Sequence, residues 1–449
     1  MASSASEPAT RLSRRAGAAG LCGTLVEYFE FATYGLLTVV IAPQFFPSGN
    51  EATAILSGLA VFATGYLVRP LGGIFFGRIG DRRGRKTALV ATVVGMGAAS
   101  VLLGLLPTYD HIGLLAPVLL VVLRLVQGFF AGGEMIGAST YVTETAPRHR
   151  RGFYAALTPI GATAGIGLAG VCSGVIALLA TAGQMTAWGW RIPFLLCLPL
   201  ALVALWVRGG LEDSPDFQEL AKKAEISRTP FREALKTAPM NIVRVAAIAL
   251  MVNAIGAVGT TYMVVHLIAD IGMAQSQVFL VSGFTCVFSV VGMLVSGSLS
   301  DRVGKPRMLA IGLTLSFVLA VPAFWLIGTA PGALVVGLLI AVWQFSVGVQ
   351  NPPMMGTFAE LFPPRIRYTA AAFGFNIGVI FGAGLTPYAA QWLTKITDSS
   401  YAPSFLVLVV AGAGLAVLFS SGAMRPVGAA RAGGVSPTTG SAVEAAAND

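Results

Sequence analysis

Residues 59–86 read LAVFATGYLVRPLGGIFFGRIGDRRGRK. The apolar run Leu59 to Phe76 leads straight into GRIGDRRGRK, Gly77 to Lys86, where five cations and one aspartate fall within ten positions. A basic decamer alone fits a solvated face or a nucleic-acid patch, so its surroundings decide. The 449 residues are 55% hydrophobic and only 11% charged, with a mean hydropathy of +0.77. Globular proteins carry roughly 25% charged residues, so this chain lacks the polar material to cover a soluble body of its size. Its surface faces lipid.

Apolar windows of about 20 residues, the length that spans a hydrocarbon core of about 30 Å, begin near Leu21, Ser57, Thr87, Ile112, Phe153, Ile192, Ile242, Val278, Met308, Ala333, Thr369 and Ser404. With a cytoplasmic N-terminus, 25 of the 29 lysines and arginines fall in the two tails and the even-numbered connections. Arg191 and Lys395 fall on the other side, and Arg69 and Arg124 within spans. That asymmetry is the positive-inside rule. The decamer is therefore first a topological anchor, and the net charge of +9 reports orientation in a cell membrane, inner or plasma, with both termini cytoplasmic. No nucleic-acid partner is expected. The first span is too long and too rich in carboxylates for a cleaved signal peptide. Cys22, Cys172, Cys197 and Cys286 lie in spans without CxxC spacing, so no metal or redox site is expected.

The expected organisation is a cytoplasmic tail (1–19), a six-helix bundle (20–208), a cytoplasmic amphipathic linker (209–240), a second six-helix bundle (241–425) and a disordered tail (426–449). The linker shows helical spacing at Phe217, Leu220, Phe231 and Leu235. The halves echo each other. GRIGDRRGRK returns as GSLSDRVGKP (297–306), setting Asp81 and Asp301 220 residues apart, and ETAPRHRRG (144–152) returns as ELFPPRIRY (360–368), setting Glu144 and Glu360 216 apart. Two pairs at nearly one offset indicate tandem duplication of a six-helix unit, with a substrate site between the halves near mid-membrane.

These residues resemble the major facilitator superfamily. Longer matches resemble its metabolite:proton symporter branch, which includes proline/betaine, shikimate, citrate and 2-oxoglutarate carriers: VRPLGGIFFGRIGDRRGRK (68–86), RLVQGFFAGGEMIGASTYVTETAPRHRRGF (124–153), GWRIPFLL (189–196) followed by LEDSPDFQEL (211–220), and ELFPPRIRYTAAAFGFNIG (360–378). The resemblance implies an all-α fold of twelve transmembrane helices in two pseudo-symmetric bundles. It also implies a cytoplasmic gate at Gly77, Asp81, Arg82, Gly84 and Arg85 and at Asp301, Arg302 and Gly304. There Asp81 would cap a neighbouring helix or pair with Arg82 or Arg85. Departures bear on substrate identity. Span 1 has EYFEF (27–31) where the branch shows Glu-Trp-Tyr/Phe-Asp-Phe, span 7 has Tyr262 then His266 in place of two tyrosines, and Lys305 and Pro306 stand where two arginines are common.

Ionisable groups inside a bilayer are costly, about 2.5–3.5 kcal/mol at mid-helix on insertion scales, and are therefore candidate functional positions. They are Glu27, Glu30, Arg69, Arg124, Glu134 and His266. Glu27 and Glu30 share one helix face, which Tyr34 extends. Two carboxylates in a dry site do not both ionise without a large penalty, so one is expected to bind and release a proton, the alternative being that Glu27 reaches water. Arg124 keeps its charge and needs a carboxylate partner or an anionic ligand. The resemblance links Arg124 to Gly128 with the superfamily's coupling pattern. The working expectation is that Arg124 holds Glu30 ionised until a substrate carboxylate competes for it, with a fixed Arg124–glutamate pair as the plain alternative. Glu134, after two glycines, is expected to bond the loop arginines as a gate, to couple protons, or to form a structural pair. His266 lies near the outer end of its span, where water is in reach. Tyr34, Tyr262, Trp343, Gln344 and Asn376 are cavity candidates that equally suit packing. GATAGIGLAG (161–170) reads as a helix-packing stripe.

No Gly-Lys-Ser/Thr phosphate loop is present, which argues against ATP-driven transport. No catalytic or metal constellation is expected, and no cofactor beyond a proton gradient. The reading is a proton-coupled symporter of a small carboxylate or zwitterion, functional as a monomer in the lipid bilayer. The rivals are a drug:proton antiporter, which would export with weak dependence on Arg124, and a membrane sensor, which would bind without flux.

Overall fold

The computed structural model describes residues 6–47, 50–147, 150–210, 217–219, 229–329 and 332–420. Among these residues the chain is helical throughout its regular elements. Twelve spans cross the molecule: α1 Ser13–Phe45, α2 Glu51–Arg83, α3 Arg85–Gly104, α4 Leu115–Thr145, α5 Arg151–Leu179, α6 Ala182–Gly209, α7 Pro239–Asp270, α8 Gln275–Val303, α9 Lys305–Gly328, α10 Ala333–Phe358, α11 Arg367–Thr397 and α12 Ala402–Phe419. The outer surface carries large apolar side chains such as Leu114, Leu179, Trp206 and Phe419, each more than 70% exposed. An apolar exterior of this extent is solvated by lipid.

The first helix differs from expectation. It runs without a break from Ser6, so residues 6–19 continue the span and are not a separate tail. Small residues explain this. Ala16 and Ala19 pack against Leu89, Ala138 and Tyr141, and Ser13 Oγ donates to the Thr145 carbonyl at 2.5 Å. The sixth span also begins earlier, taking in Arg191, whose Nη1 satisfies the Gly104 and Leu106 carbonyls at the end of α3 at 3.0 and 2.6 Å. Of the amphipathic linker, 211–216 and 220–228, with Leu220, lie outside the described residues, as does the tail from 426. Pro230–Thr237 is helical and sets Phe231 edge-on to Phe373 at 5.0 Å, while Leu235 is exposed.

At one end, the basic face, α2 turns into α3 through Gly84 at φ 102° and α8 into α9 through Gly304 at φ 96°. These equivalent turns require a residue free of a Cβ penalty. Within the first half α4 lies hard against α2, because a methyl group at Gly128 would run into the Gly65 carbonyl. That approach sets Arg124 and Arg69 side by side in the interior. The glycines of 161–170 behave as a packing stripe, Gly161 and Gly165 against the α1 backbone and Gly170 against Gly283 of α8. Regular α-hydrogen bonding gives way to π-helical turns at Met185–Gly189, Val258–Tyr262, His266–Asp270 and Ile380–Leu385. Such bulges store local freedom inside a helix. Three of the four lie on α7 and α11.

Candidate functional site

Glu27, Arg69 and Arg124 are buried close together in the first half, around the Phe31 ring. Arg69 Nη2 of α2 lies 3.0 Å from Glu27 Oε1 of α1, both side chains fully enclosed. Among the described residues, Arg124 of α4 forms no ion pair with a carboxylate. Its Nη1 donates to Gln127 Oε1 at 2.7 Å, and Gln127 Nε2 donates to Ser100 Oγ at 2.5 Å. The guanidinium carbon of Arg124 stands 4.5 Å from the Tyr34 ring, 4.6 Å from Phe31 and 5.6 Å from Phe62. Neither oxygen of Glu30 makes a well-formed hydrogen bond among the described residues. The Ser100 hydroxyl is beside it and keeps its own proton free, because its oxygen is the acceptor from Gln127.

This corrects the expected exchange. Arg69, not Arg124, holds a span 1 glutamate, and that glutamate is Glu27, not Glu30. The register of α1 accounts for it: positions 27 and 31 face α2, where the Arg69 guanidinium also lies 4.2 Å from the Phe31 ring and 4.7 Å from Tyr66. Arg69 and Arg124 are both fully buried here, so Arg124 is not the sole deep cation available to an anionic group.

Between the halves is a cavity with an empty volume of about 940 Å³, its openings included. The first half contributes Tyr28, Phe31, Phe62 and Tyr66, and the second Asn253, Thr260, Thr261, Cys286, Gln344 and Asn351. Among the described residues no charged side chain lines it. Asn253 and Asn351 each donate to the carbonyl four residues back, at 2.8 and 3.0 Å, leaving their amide oxygens for the cavity. Of the five sequence candidates only Gln344 lines the wall. Tyr34 donates to the Gly58 carbonyl at 3.2 Å inside the first half, and Trp343 donates to Ile255 at 3.3 Å. Tyr262 bonds Thr394 at 2.9 Å, and Asn376 donates to Gly132 of the other half at 2.6 Å. Each is tied to a backbone or side-chain partner outside the cavity, so packing wins at these positions. The wall residues missed were Tyr28, Asn253 and Asn351. A tyrosine beside Glu27, and amides in otherwise apolar spans, were the available signals.

The basic face is closed by carboxylates that reach between halves. Asp81 Oδ2 accepts from Thr369 N at 3.1 Å and Thr369 Oγ1 at 2.6 Å at the start of α11, and its Oδ1 pairs with Arg85 at 2.5 Å. Glu144 Oε1 lies 3.4 Å from Arg85 and 3.3 Å from Arg367 of the opposite half. Tyr368 donates to the Gly133 carbonyl at 2.5 Å, and Gly77 lies directly under Thr369. The duplicated seam is looser. Asp301 Oδ1 accepts from Gly152 N at 3.1 Å at the start of α5, and Lys305 pairs with Glu360. Arg82 and Arg302 are exposed, and neither forms an ion pair in either seam among the described residues. On the other side of the cavity α1 and α7 meet where Gly35 packs against Thr261.

Glu134 is not in that gate. It forms a two-point pair with Arg208 of α6 and accepts from Thr92 at 2.5 Å, all within the first half. His266 is buried rather than wet. It stacks on Tyr262 at 5.4 Å and bonds Asp270 at 2.8 Å, and Asp270 in turn holds Lys395 of α11 at 2.8 Å. All four cysteines are free thiols. No group of three or more metal-ligating side chains occurs among the described residues.

Two six-helix halves around a cavity define a membrane carrier of the alternating-access type. The family model of the Major Facilitator Superfamily matches residues 20–375. The chain is 35% identical over 424 residues to the glycine betaine/proline/ectoine/pipecolic acid transporter of Dickeya dadantii, covering 90% of this chain and 82% of that one. It is 34% identical over 397 residues to the shikimate transporter of Escherichia coli, covering 85% and 87%. In fold it is similar to the proton:xylose symporter XylE, with a TM-score of 0.72 at 18% identity over 91% of this chain and 95% of that one. The chain belongs to the major facilitator superfamily, in its metabolite:proton symporter branch.

Proposed function

We propose that this protein carries a small zwitterionic solute together with a proton across a cell membrane, inner or plasma, as a monomer with both termini cytoplasmic and the basic face inside. The observation that carries the reading is the pairing of an uncharged cavity with a buried charge cluster behind its aromatic wall. Aromatic faces and amide oxygens suit a cationic nitrogen, and the guanidinium groups behind them suit a carboxylate. A dicarboxylate would find no exposed cation to neutralise it. The glycine betaine and proline named for one relative are zwitterions of this kind.

Glu30 is the proton carrier in this reading. An ionised carboxylate buried without a charged partner is strongly unfavourable, which supports Glu30 as the group that takes up the proton. Glu27 remains with Arg69, and the proton gradient is the only energy source required. Uptake of labelled glycine betaine, proline, shikimate and a dicarboxylate into vesicles under an imposed pH gradient tests this. Accumulation of a zwitterion that collapses with the gradient supports it. Outward movement against proton entry would mean an antiporter, and binding without flux a sensor.

A further inference from the structure

Phe31 stands at an unusual junction. Its ring lines the cavity, yet the side chain is 2% exposed and both deep guanidinium groups lie over it, Arg69 at 4.2 Å and Arg124 at 4.6 Å. Neither arginine lines the cavity itself. Nε and Nη2 of Arg124, and Nε and Nη1 of Arg69, have no hydrogen-bond partner among the described residues. Two permanent cations thus face an aromatic ring where each has capacity for a stronger partner.

We propose that Phe31 is the coupling residue: its ring is the partition between the substrate cavity and the charge cluster, and it must swing aside before a substrate carboxylate reaches Arg124. This rests on the proton-symport reading above and adds the element that ties the two fluxes together. A ring face satisfies a guanidinium weakly, whereas a carboxylate makes charge-assisted, two-point hydrogen bonds. Exchange of ring for carboxylate is therefore favourable once substrate is present. Without substrate the ring stays in place between the cavity and Arg124, the cation whose charge acts on Glu30, and the Glu30 oxygens are themselves sealed. The rings of Tyr66, 5.2 Å from Phe31, and Phe62, 5.2 Å from Tyr66, form the frame against which it closes.

The test is the ratio of proton to substrate flux in vesicles containing wild type, Phe31→Leu or Phe31→Tyr, with glycine betaine and proline as probes and an internal pH dye. Loss of two ring contacts should raise the substrate-free proton leak of Phe31→Leu roughly fivefold to tenfold and lower its ratio, while Phe31→Tyr stays close to wild type. An unchanged ratio and leak in Phe31→Leu, with only KM altered, would overturn the proposal and leave Phe31 a wall residue. If Phe31→Leu fails to fold, as judged by gel filtration, Phe31→Met takes its place with the same criteria. Wild type without any proton-linked uptake would instead sink the symport reading itself, so the two failures are distinct.

Discussion

Asp81 Oδ2 accepts both the backbone N–H and the hydroxyl of Thr369, so a carboxylate at the end of α2 caps the first turn of a helix in the other half. Its duplicate, Asp301, caps the first turn of α5 through Gly152 N. Anionic caps at helix N-termini satisfy orphan donors and favour the positive end of the helix dipole. The two seams are related by the duplication but differ in burial, since Asp81 is 4% exposed and Asp301 lies in solvent reach.

That difference predicts unequal consequences. Asp81→Asn leaves Arg85 with Glu144 alone at 3.4 Å and weakens the cap on α11, so the loss falls below the roughly 3–5 kcal/mol of an uncompensated buried charge and shifts the carrier toward opening at the basic face. Asp301→Asn removes a cap and a charge near water, for about 1 kcal/mol or less. Labelling of single cysteines placed along the cavity, from each side of sealed vesicles, should report strong basic-face accessibility for Asp81→Asn and little change for Asp301→Asn. Equal effects would refute the asymmetry.

Glu134 and Arg208 form a strut whose hydrogen-bond and ion-pair partners, among the described residues, all lie in the first half. Glu134→Gln strands a buried guanidinium and should lower the melting temperature in detergent, in keeping with a loss of about 3–5 kcal/mol, whereas the double change Glu134→Gln with Arg208→Met recovers much of it. A gating role would show instead as altered accessibility with unchanged stability.

The approach of α4 to α2 leaves no room at Gly128. Gly128→Ala drives a methyl group into the Gly65 carbonyl, and overpacking of this kind costs about 1–3 kcal/mol or more. Reduced yield of folded protein in the membrane is the expected outcome. Normal yield together with normal transport would show that the helices separate easily.

Much of this architecture was legible because it is written locally. Twelve apolar runs, the cation asymmetry and the paired motifs around Asp81 and Asp301 each depend on residues close in sequence, and the spans followed. The partners of buried charges were not. Which arginine meets which glutamate depends on the rotation of α1 against α2 and on glycines such as Gly128 that set helix spacing, so Glu27 pairs with Arg69 in place of the expected pair of Arg124 with Glu30. Cavity membership failed for the same reason: Tyr34 and Tyr262 belong to the correct helices, but their hydroxyls point to Gly58 and Thr394. His266 looked wet because α7 seemed to end near it, whereas π-helical turns carry the span to Asp270.

The most direct test of the account is the current across vesicles when glycine betaine or proline is added under an inward proton gradient, with Glu30→Gln alongside. A zwitterion carries no net charge, so each proton moved with it adds one positive charge, while a monocarboxylate moved with one proton is silent. The account predicts an inward current with the zwitterions, none with shikimate, and none in Glu30→Gln at normal substrate binding. A current that survives in Glu30→Gln, or no current where labelled zwitterion accumulates, would contradict it.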